Sequence, residues 1–179
     1  MDRDELVRRA DEGERFDFLF FWGHRQKRAG AVDASCLSQW FPAPFVVDGA
    51  TYPTAEHFMM AGKATLFGDG DARDAILATT DPRKAKALGR KVRDFDEARW
   101  ATRRLALVVE GNAAKFSQRA PLRAFLLGTG TRVLVEASPR DRTWGIGLSQ
   151  HNPRALDPRT WRGANLLGFA LMEARKRIG

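Results

Sequence analysis

The sequence predicts an α+β fold: one mostly helical domain with a small β-sheet. A chain of 179 residues with 44% hydrophobic side chains can build one core and is too short for two. Helical signals fill the middle of the chain, and strand-like patterns lie towards both ends. No internal repeat or interdomain linker interrupts this pattern. We therefore expect residues 1–15 to form a peripheral N-terminal segment and residues 16–179 to form the domain.

Short extended segments are expected on both sides of the helical region. The aromatic segment Phe16–Trp22 is typical of a buried strand. Two prolines in Cys36–Asp48 disfavour helix there and indicate two extended pieces. Asp48-Gly49 predicts a hairpin turn because both residues tolerate a positive φ. Later extended pieces are predicted at Arg132–Glu136 and Trp144–Leu148.

Two helices are predicted from their capping residues. Thr54 caps a helix that ends near Phe67, before the break at Gly68–Gly70. Asp81-Pro82 provides the N-cap and first residue of the next helix.

A longer helix is predicted downstream. Asp94 and Glu97 have the spacing of a capping box, so this helix should begin at Asp94 and continue to about Phe116. Two further helices are predicted at Pro121–Leu127 and from about Gly163 onwards.

The composition argues against several classes of protein. The apolar runs are much shorter than the roughly 20 residues that span a bilayer, so no membrane segment is expected. The N-terminus lacks a secretion-signal pattern, which predicts a cytoplasmic protein. Cys36 is the single cysteine and cannot form an internal disulfide. His24, His57 and His151 lack the paired spacing of a zinc site, so neither a metal nor another cofactor is expected.

The charge indicates an anionic partner. The net charge is +8, and arginine outnumbers lysine 23 to 7. Guanidinium groups suit bidentate binding of phosphate. Genome composition alone also produces an arginine-rich surface, and charge does not distinguish a nucleotide from a nucleic acid.

The helix after Thr54 carries the first candidate site. Glu56, Met60 and Lys63 are spaced by four and three residues and therefore share one helix face. A carboxylate and an amine on one face could meet the same ligand. Taken alone, an exposed face with unrelated charges is the favoured alternative.

Two further candidates lie downstream. Trp144, beside small glycines, could stack a planar base while Asp141 accepts hydrogen bonds from the ligand. A core tryptophan and a turn-forming aspartate explain the same residues equally well. Asn112 is a third candidate for ligand binding, although a helix-terminal hydrogen bond is the commoner use of such a residue.

Several separated motifs together resemble the YbiA-like, or NADAR, family. They occur in the order typical of that family, from about Phe16 to Ile178. The matching segments are Phe20–His24, Leu37–Trp40, Tyr52–His57, Lys63–Ala64, Gly111–Asn112, Lys115–Phe116, Glu136–Pro139, Asp141, Trp144–Gly147 and Trp161–Gly168.

The resemblance implies an α+β fold and hydrolysis of an N-glycosidic bond. Members are associated with breakdown of ribosylaminopyrimidine phosphates of the riboflavin pathway, and others with removal of ADP-ribose from guanine in nucleic acid. It implies catalytic roles for Glu56, Lys63 and Asp141, and a stacking role for Trp144. Trp22, Asn112, Arg25 and Arg28 complete the predicted substrate-binding residues.

Three hypotheses follow from the resemblance. The chain hydrolyses a free small nucleotide, removes ADP-ribose from guanine in nucleic acid, or only binds ADP-ribose or a related nucleotide. In the enzymatic hypotheses, Glu56 stabilises charge at the anomeric carbon or activates water. Lys63 could instead attack the ring-opened sugar and form a Schiff base. Retention of both residues on one helix face argues against simple binding.

Overall fold

Seven α-helices and two pairs of strands form the structure, a computed structural model that describes residues 1–28 and 30–179. The strands are β1 (Phe18–Phe21), β2 (Phe45–Val47), β3 (Ala50–Tyr52) and β4 (Val133–Glu136). The helices are α1 (Arg3–Asp11), α2 (Ala55–Leu66), α3 (Gly70–Leu77), α4 (Pro82–Gly89), α5 (Glu97–Ser117), α6 (Ala120–Gly128) and α7 (Leu166–Ile178). The structure confirms the predicted α+β class.

A parallel strand pair joins two distant parts of the chain. β1 pairs with β4 from Phe18 opposite Val133 to Phe21 opposite Glu136. Because the strands are parallel, their carboxyl ends lie at the same edge. The structure thus confirms that segments near both ends of the sequence form the small sheet.

The second strand pair is a hairpin. β2 and β3 are antiparallel, and Asp48-Gly49 connects them with φ angles of 49° and 76°. The predicted turn is confirmed, and its positive φ angles explain the residue types.

The helices α2, α5 and α7 supply much of the main core. α2 and α5 contribute Met59, Ala64, Val108 and Phe116, all at most 4% exposed. The predicted start of α2 is confirmed because the Thr54 side chain accepts a hydrogen bond from His57 N. Asp81 caps α4 in the same way, through the amide of Arg83.

The start of the long helix was predicted wrongly. Its N-cap is Asp96, whose side chain accepts from Arg99 N, and Asp94 lies outside the helix with a φ of 52°. The sequence offers aspartate at both positions, and only Asp96 directly precedes the helical backbone.

Other local predictions also need correction. The segment Trp144–Leu148 forms bends rather than a strand, and Gly147 has a φ of 67°, which is outside the extended range. Ala34–Leu37 is a 3₁₀ turn, so the segment from Cys36 begins in helical geometry rather than extended backbone. The helix α3 was not foreseen, since Gly68–Gly70 indicated only a break. In the structure, Asp69 caps it through the amide of Ala72.

The N-terminal helix contacts the body of the molecule. Leu6 is fully buried in a cluster with Trp161 and Phe169. Arg3 donates hydrogen bonds to the carbonyls of Pro158 and Arg159. The boundary between a peripheral segment at residues 1–15 and a domain at residues 16–179 stays a prediction, because α1 packs directly on the rest of the molecule.

Candidate active site

Acidic residues from three segments approach one another at the carboxyl edge of the β1–β4 pair. Glu136 ends β4, Asp141 follows in the next loop, and Glu56 lies in the first turn of α2. The charge of Asp141 acts on both glutamates, and Lys86 from α4 opposes it at both. We call Glu56, Glu136 and Asp141 the carboxylate cluster.

Glu56 is buried at the start of its helix. Its side chain is 2% exposed, and its backbone amide donates to Gln39 O at 2.9 Å. Oε1 has no hydrogen-bond partner among the described residues. Burial raises the pKa of Glu56 to about 7, and the nearby Asp141 charge acts in the same direction, while Lys86 and the Trp40 side chain oppose the shift.

Glu136 has a fixed backbone and a carboxylate with an unused oxygen. Its amide donates to Asn165 Oδ1 at 2.9 Å, and its carbonyl accepts from Ile146 N at 2.9 Å. Oε2 is buried and, within residues 1–28 and 30–179, unpartnered. Burial, then the charges of Asp141 and Glu56, raise the pKa of Glu136 to about 8.

Asn165 forms hydrogen bonds with the backbone of β4, the strand that pairs with β1. The residue is fully buried with a φ of 54°, and its Nδ2 donates to Leu134 O at 2.9 Å while its Oδ1 accepts from Glu136. A Cβ on Gly168 would collide with Leu134 O. The segment Trp161–Gly168 therefore positions the strand that ends in Glu136.

Asp141 combines a structural and an electrostatic role. Its Oδ1 accepts from the amides of Thr143 and Trp144, at 2.9 and 2.8 Å. This is the turn-forming geometry foreseen as one alternative. Its charge nevertheless acts on Glu56 and Glu136, so the aspartate also belongs to the site. Trp144 is half-buried and packs against the main core.

Two lysines, Lys63 and Lys86, differ in their relation to the carboxylate cluster. The Lys63 amine donates to Gly89 O at 2.9 Å and lies 3.8 Å from the Phe95 ring centroid. Burial lowers the pKa of Lys63. The charged groups that act most strongly on Glu56 include Lys86 but not Lys63. The Lys86 amine lies 5.8 Å from the centroid of the Trp40 ring.

The other predicted substrate residues occupy two environments. Trp22 follows β1 and is 65% exposed, and Arg25 and Arg28 lie on the exposed loop after it. Asn112 is fully buried, and its Nδ2 donates to Gln39 Oε1 at 3.0 Å. Because Gln39 O accepts from Glu56 N, Asn112 supports the backbone that carries Glu56.

Glu136 begins a candidate segment and belongs to the motifs that resemble the NADAR family, but the sequence analysis assigned no role to it or to Lys86. A role for Glu136 could have been found, because ligand sites often lie beyond the carboxyl ends of parallel strands and the sequence predicts a strand ending there. No spacing pattern marks Lys86, since it reaches the site only through the packing of α4 on α2.

Metal-binding clusters and membrane-spanning helices are both absent from residues 1–28 and 30–179. Across residues 1–28 and 30–179, no group of three or more His, Cys, Asp and Glu side chains is arranged to hold a metal ion. None of the helices in the same residues is long and apolar enough to cross a membrane.

Several known proteins similar to the chain are named as N-glycosidases. The chain is 42% identical to N-glycosidase R617 of Acanthamoeba polyphaga mimivirus, over 89% of this chain and 95% of that protein. It is 34% identical to N-glycosidase YbiA of Escherichia coli strain K12, over 82% and 81% of the two chains. The chain is an N-glycosidase, a hydrolase that cleaves N-glycosidic bonds.

A solved structure and a family model agree with these relatives. The NMR structure of the E. coli protein YbiA matches with a TM-score of 0.72 and 30% identity, covering 92% of this chain and 86% of that chain. The NADAR domain model matches residues 20–179. The chain therefore belongs to the NADAR domain family.

Proposed function

We propose that the chain hydrolyses the bond between ribose and the base nitrogen in a ribosylaminopyrimidine phosphate of the riboflavin pathway. The observation that carries the proposal is the buried carboxylate of Glu56, whose Oε1 is unpartnered in the described part of the chain. Burying a polar atom without a partner is costly, so an orphaned carboxylate oxygen calls for an explanation, and a catalytic role is one that fits this site. A substrate hydroxyl or an attacking water would satisfy it.

The reaction requires negative charge at this position. Cleavage of the C–N bond develops positive charge at the anomeric carbon, and a nearby carboxylate stabilises that charge or deprotonates water. Glu56 and Asp141 supply these functions in our proposal. A carboxyl with a pKa of about 7 can accept a proton near neutral pH and release it again.

Basic and aromatic groups at the same edge suit a phosphorylated base. Lys86 on α4 and Arg90, which directly follows that helix, act on Glu56 and provide positive charge beside the cluster. We assign base stacking to Trp144 or Trp22, and weaker phosphate contacts to Arg25 and Arg28.

A second candidate substrate is guanine in nucleic acid that carries ADP-ribose. The exposed indole of Trp22, next to the exposed basic loop of Arg25 and Arg28, favours it, because bases of a longer strand can stack there while its phosphates contact the loop. The salt dependence separates the two candidates. A nucleic-acid substrate loses affinity steeply as salt rises, whereas a single small nucleotide does so less.

The first experiment measures base release from both substrates by the wild-type protein and by Glu56→Gln. We expect release from one substrate and a loss of at least about 100-fold in Glu56→Gln. Glu110→Gln is the matched control, since Glu110 is an exposed glutamate on α5. Tight nucleotide binding without base release would contradict the proposal and support a binding protein.

Lys63 needs a separate test. The hypothesis of a Schiff base predicts that borohydride reduction during turnover joins the sugar covalently to Lys63, and that Lys63→Ala abolishes both the adduct and base release. Peptide mass analysis locates the adduct. Turnover without an adduct, or an adduct on another lysine, would contradict a reactive Lys63 amine.

A further inference from the structure

We infer that Glu136 is a second catalytic residue, which protonates the leaving nitrogen while Glu56 accepts the proton of the attacking water. The inference rests on the proposed function and assigns a role to a side chain that the proposal leaves unused. Glu136 and Glu56 come from β4 and α2, and both contribute to the carboxylate cluster.

The packing shows a built site at Glu136. Hydrogen bonds to Asn165 Oδ1 and from Ile146 N fix its backbone on both sides. A Cβ on Gly145 would lie 2.8 Å from Glu136 O, so alanine cannot replace this glycine without movement of the backbone. Despite this precise support, Oε2 has no partner among residues 1–28 and 30–179. A purely structural carboxylate would be expected to use its buried oxygen.

The surroundings of Glu56 and Glu136 favour a state in which one of the two carboxyl groups is protonated and the other is ionised. Glu56 Oε1 is buried and unpartnered in the same described residues, and the charge of Glu56 contributes to the raised pKa of Glu136. Asp141 faces both from the loop after β4, and Lys86 faces both from α4. Arg90 also acts on Glu56. Two carboxylates that share a site do not both ionise easily, so one retains a proton.

The difference in environment assigns the two roles. Burial raises the pKa of both glutamates, but the charges around them differ. Lys86 and Arg90 favour the ionised form of Glu56 against the charge of Asp141. At Glu136, in contrast, the charges of Asp141 and Glu56 oppose ionisation and Lys86 favours it. Glu136 is therefore the group that keeps the proton and can act as the general acid. Glu56 is the better base.

Glu136, Glu56 and one water molecule account for every bond and proton in the hydrolytic step. The C–N bond breaks, its electron pair goes to the base nitrogen, and Glu136 gives that nitrogen its proton. Water oxygen forms the new bond to the anomeric carbon, and Glu56 takes one water proton. The products are the ribose phosphate with an anomeric hydroxyl and the neutral base. Transfer of the proton from Glu56 to Glu136 restores the starting state.

The first test requires no substrate. Carbon-13 NMR of protein labelled at the glutamate carboxyl carbons follows each titration, and Glu136→Gln and Glu56→Gln assign the two signals. We expect both signals to titrate near or above neutral pH. Removing Glu56 should lower the titration midpoint of Glu136, because a neighbouring negative charge is lost. Two independent titrations near pH 4 to 5 would overturn the inference.

The second test is the pH profile of kcat/KM for base release. The wild-type protein should give a bell-shaped profile, with an acidic limb from Glu56 and an alkaline limb from Glu136. Glu136→Gln should lose at least about 100-fold in kcat/KM and should lose the alkaline limb. Glu110→Gln should retain the wild-type profile. A Glu136→Gln variant with the wild-type rate and alkaline limb would overturn the inference.

The two tests separate the inference from the proposed function. Base release with an unaffected Glu136→Gln variant refutes the acid role and leaves the proposed function standing. No base release, together with the expected coupled titrations, refutes the proposed substrate and supports the paired glutamates.

Discussion

The two sides of α2 differ in whether buried polar side-chain atoms lack hydrogen-bond partners. On one side, Glu56 meets the carboxylate cluster, where two buried carboxylate oxygens lack partners within the described residues. On the other side, α2, α5 and the β2–β3 hairpin enclose a groove of about 740 Å³, lined in part by Tyr52, Phe58 and Leu107. The groove thus lies on the side of α2 without the unpartnered carboxylates.

The groove and the buried groups that can change protonation thus lie in different regions of the molecule. The residues that line the groove contribute none of the buried unpartnered side-chain atoms in residues 1–28 and 30–179. A groove of this size is suitable for a ligand, yet a reaction needs groups whose protonation can change. Four matched experiments test the contrast, beginning with the largest expected effect.

Two side-chain amides support strand edges, one on each side of the molecule. Asn165 bonds to Leu134 O and Glu136 N in the interior, and exposed Gln118 bonds to both the amide and the carbonyl of Val46. Asn165→Ala should cost roughly 2–4 kcal/mol of unfolding free energy and strongly reduce base release, because it leaves buried groups unpaired. Gln118→Ala should cost less than about 1.5 kcal/mol, since water replaces the amide. Urea unfolding measures the unfolding free energy of both variants. Equal losses of unfolding free energy would contradict the expected difference between the buried and the exposed amide.

The unfolding free energy should depend on pH through Glu56 and Glu136. The folded-state pKa values of Glu56 and Glu136 lie above the ordinary value of 4.5, so the unfolded chain releases these protons first as pH rises. The unfolding free energy should therefore fall from about pH 4.5 to pH 8. Glu56→Gln should lessen this fall and stabilise the protein at pH 8 by on the order of 2 kcal/mol. Urea titrations at pH 5 and 8 check this, and a variant with the wild-type pH dependence contradicts it.

Two glycines give a matched test of rigidity. A Cβ on Gly145 would meet backbone, at 2.8 Å from Glu136 O, whereas one on Gly62 would meet the Leu107 side chain at 2.6 Å, in the groove. Gly145→Ala should cost about 1–3 kcal/mol and reduce kcat, because the strand end must move. Gly62→Ala should cost less, since the leucine can rotate into the groove. Thermal unfolding and initial rates measure both, and the reverse order would show that the groove is the more rigid region.

The smallest expected effect is at exposed residues. Trp22 and Val46 are 65% and 47% exposed. Alanine at either position should change the unfolding free energy by less than about 0.5 kcal/mol. Trp22→Ala should raise KM for base release, because a stacking surface is lost, while Val46→Ala should leave KM unchanged. Equal KM values for all three proteins would remove Trp22 from the substrate site.

Short-range features of the fold could be predicted from sequence. The caps at Thr54 and Asp81 and the turn at Asp48-Gly49 depend on residues within four positions, and all three occur in the structure. Predictions failed where two nearby residues offered the same chemistry, as Asp94 and Asp96 did. They also failed where glycine begins a helix, since Gly70 follows its cap Asp69 directly.

The candidate site was only partly accessible from sequence. The face shared by Glu56 and Lys63, together with the family resemblance, singled out Glu56. Spacing along one helix does not show that the Lys63 amine bonds to Gly89 O, or that Lys86 takes its place beside Glu56. Both facts depend on how α4 packs against α2.

Parallel pairing of β1 with β4 has a consequence for the order of folding. Phe21 and Glu136, which are opposite each other, are separated by about 115 residues of chain, and such long-range contacts form slowly because loop closure costs entropy. The bonds from Asn165 that hold this strand come later still in sequence. On the ribosome, the carboxylate cluster therefore cannot assemble until residue 141 has emerged, and Asn165 can support β4 only after that, so catalytic competence should arise in a late step rather than accumulate as the helices form.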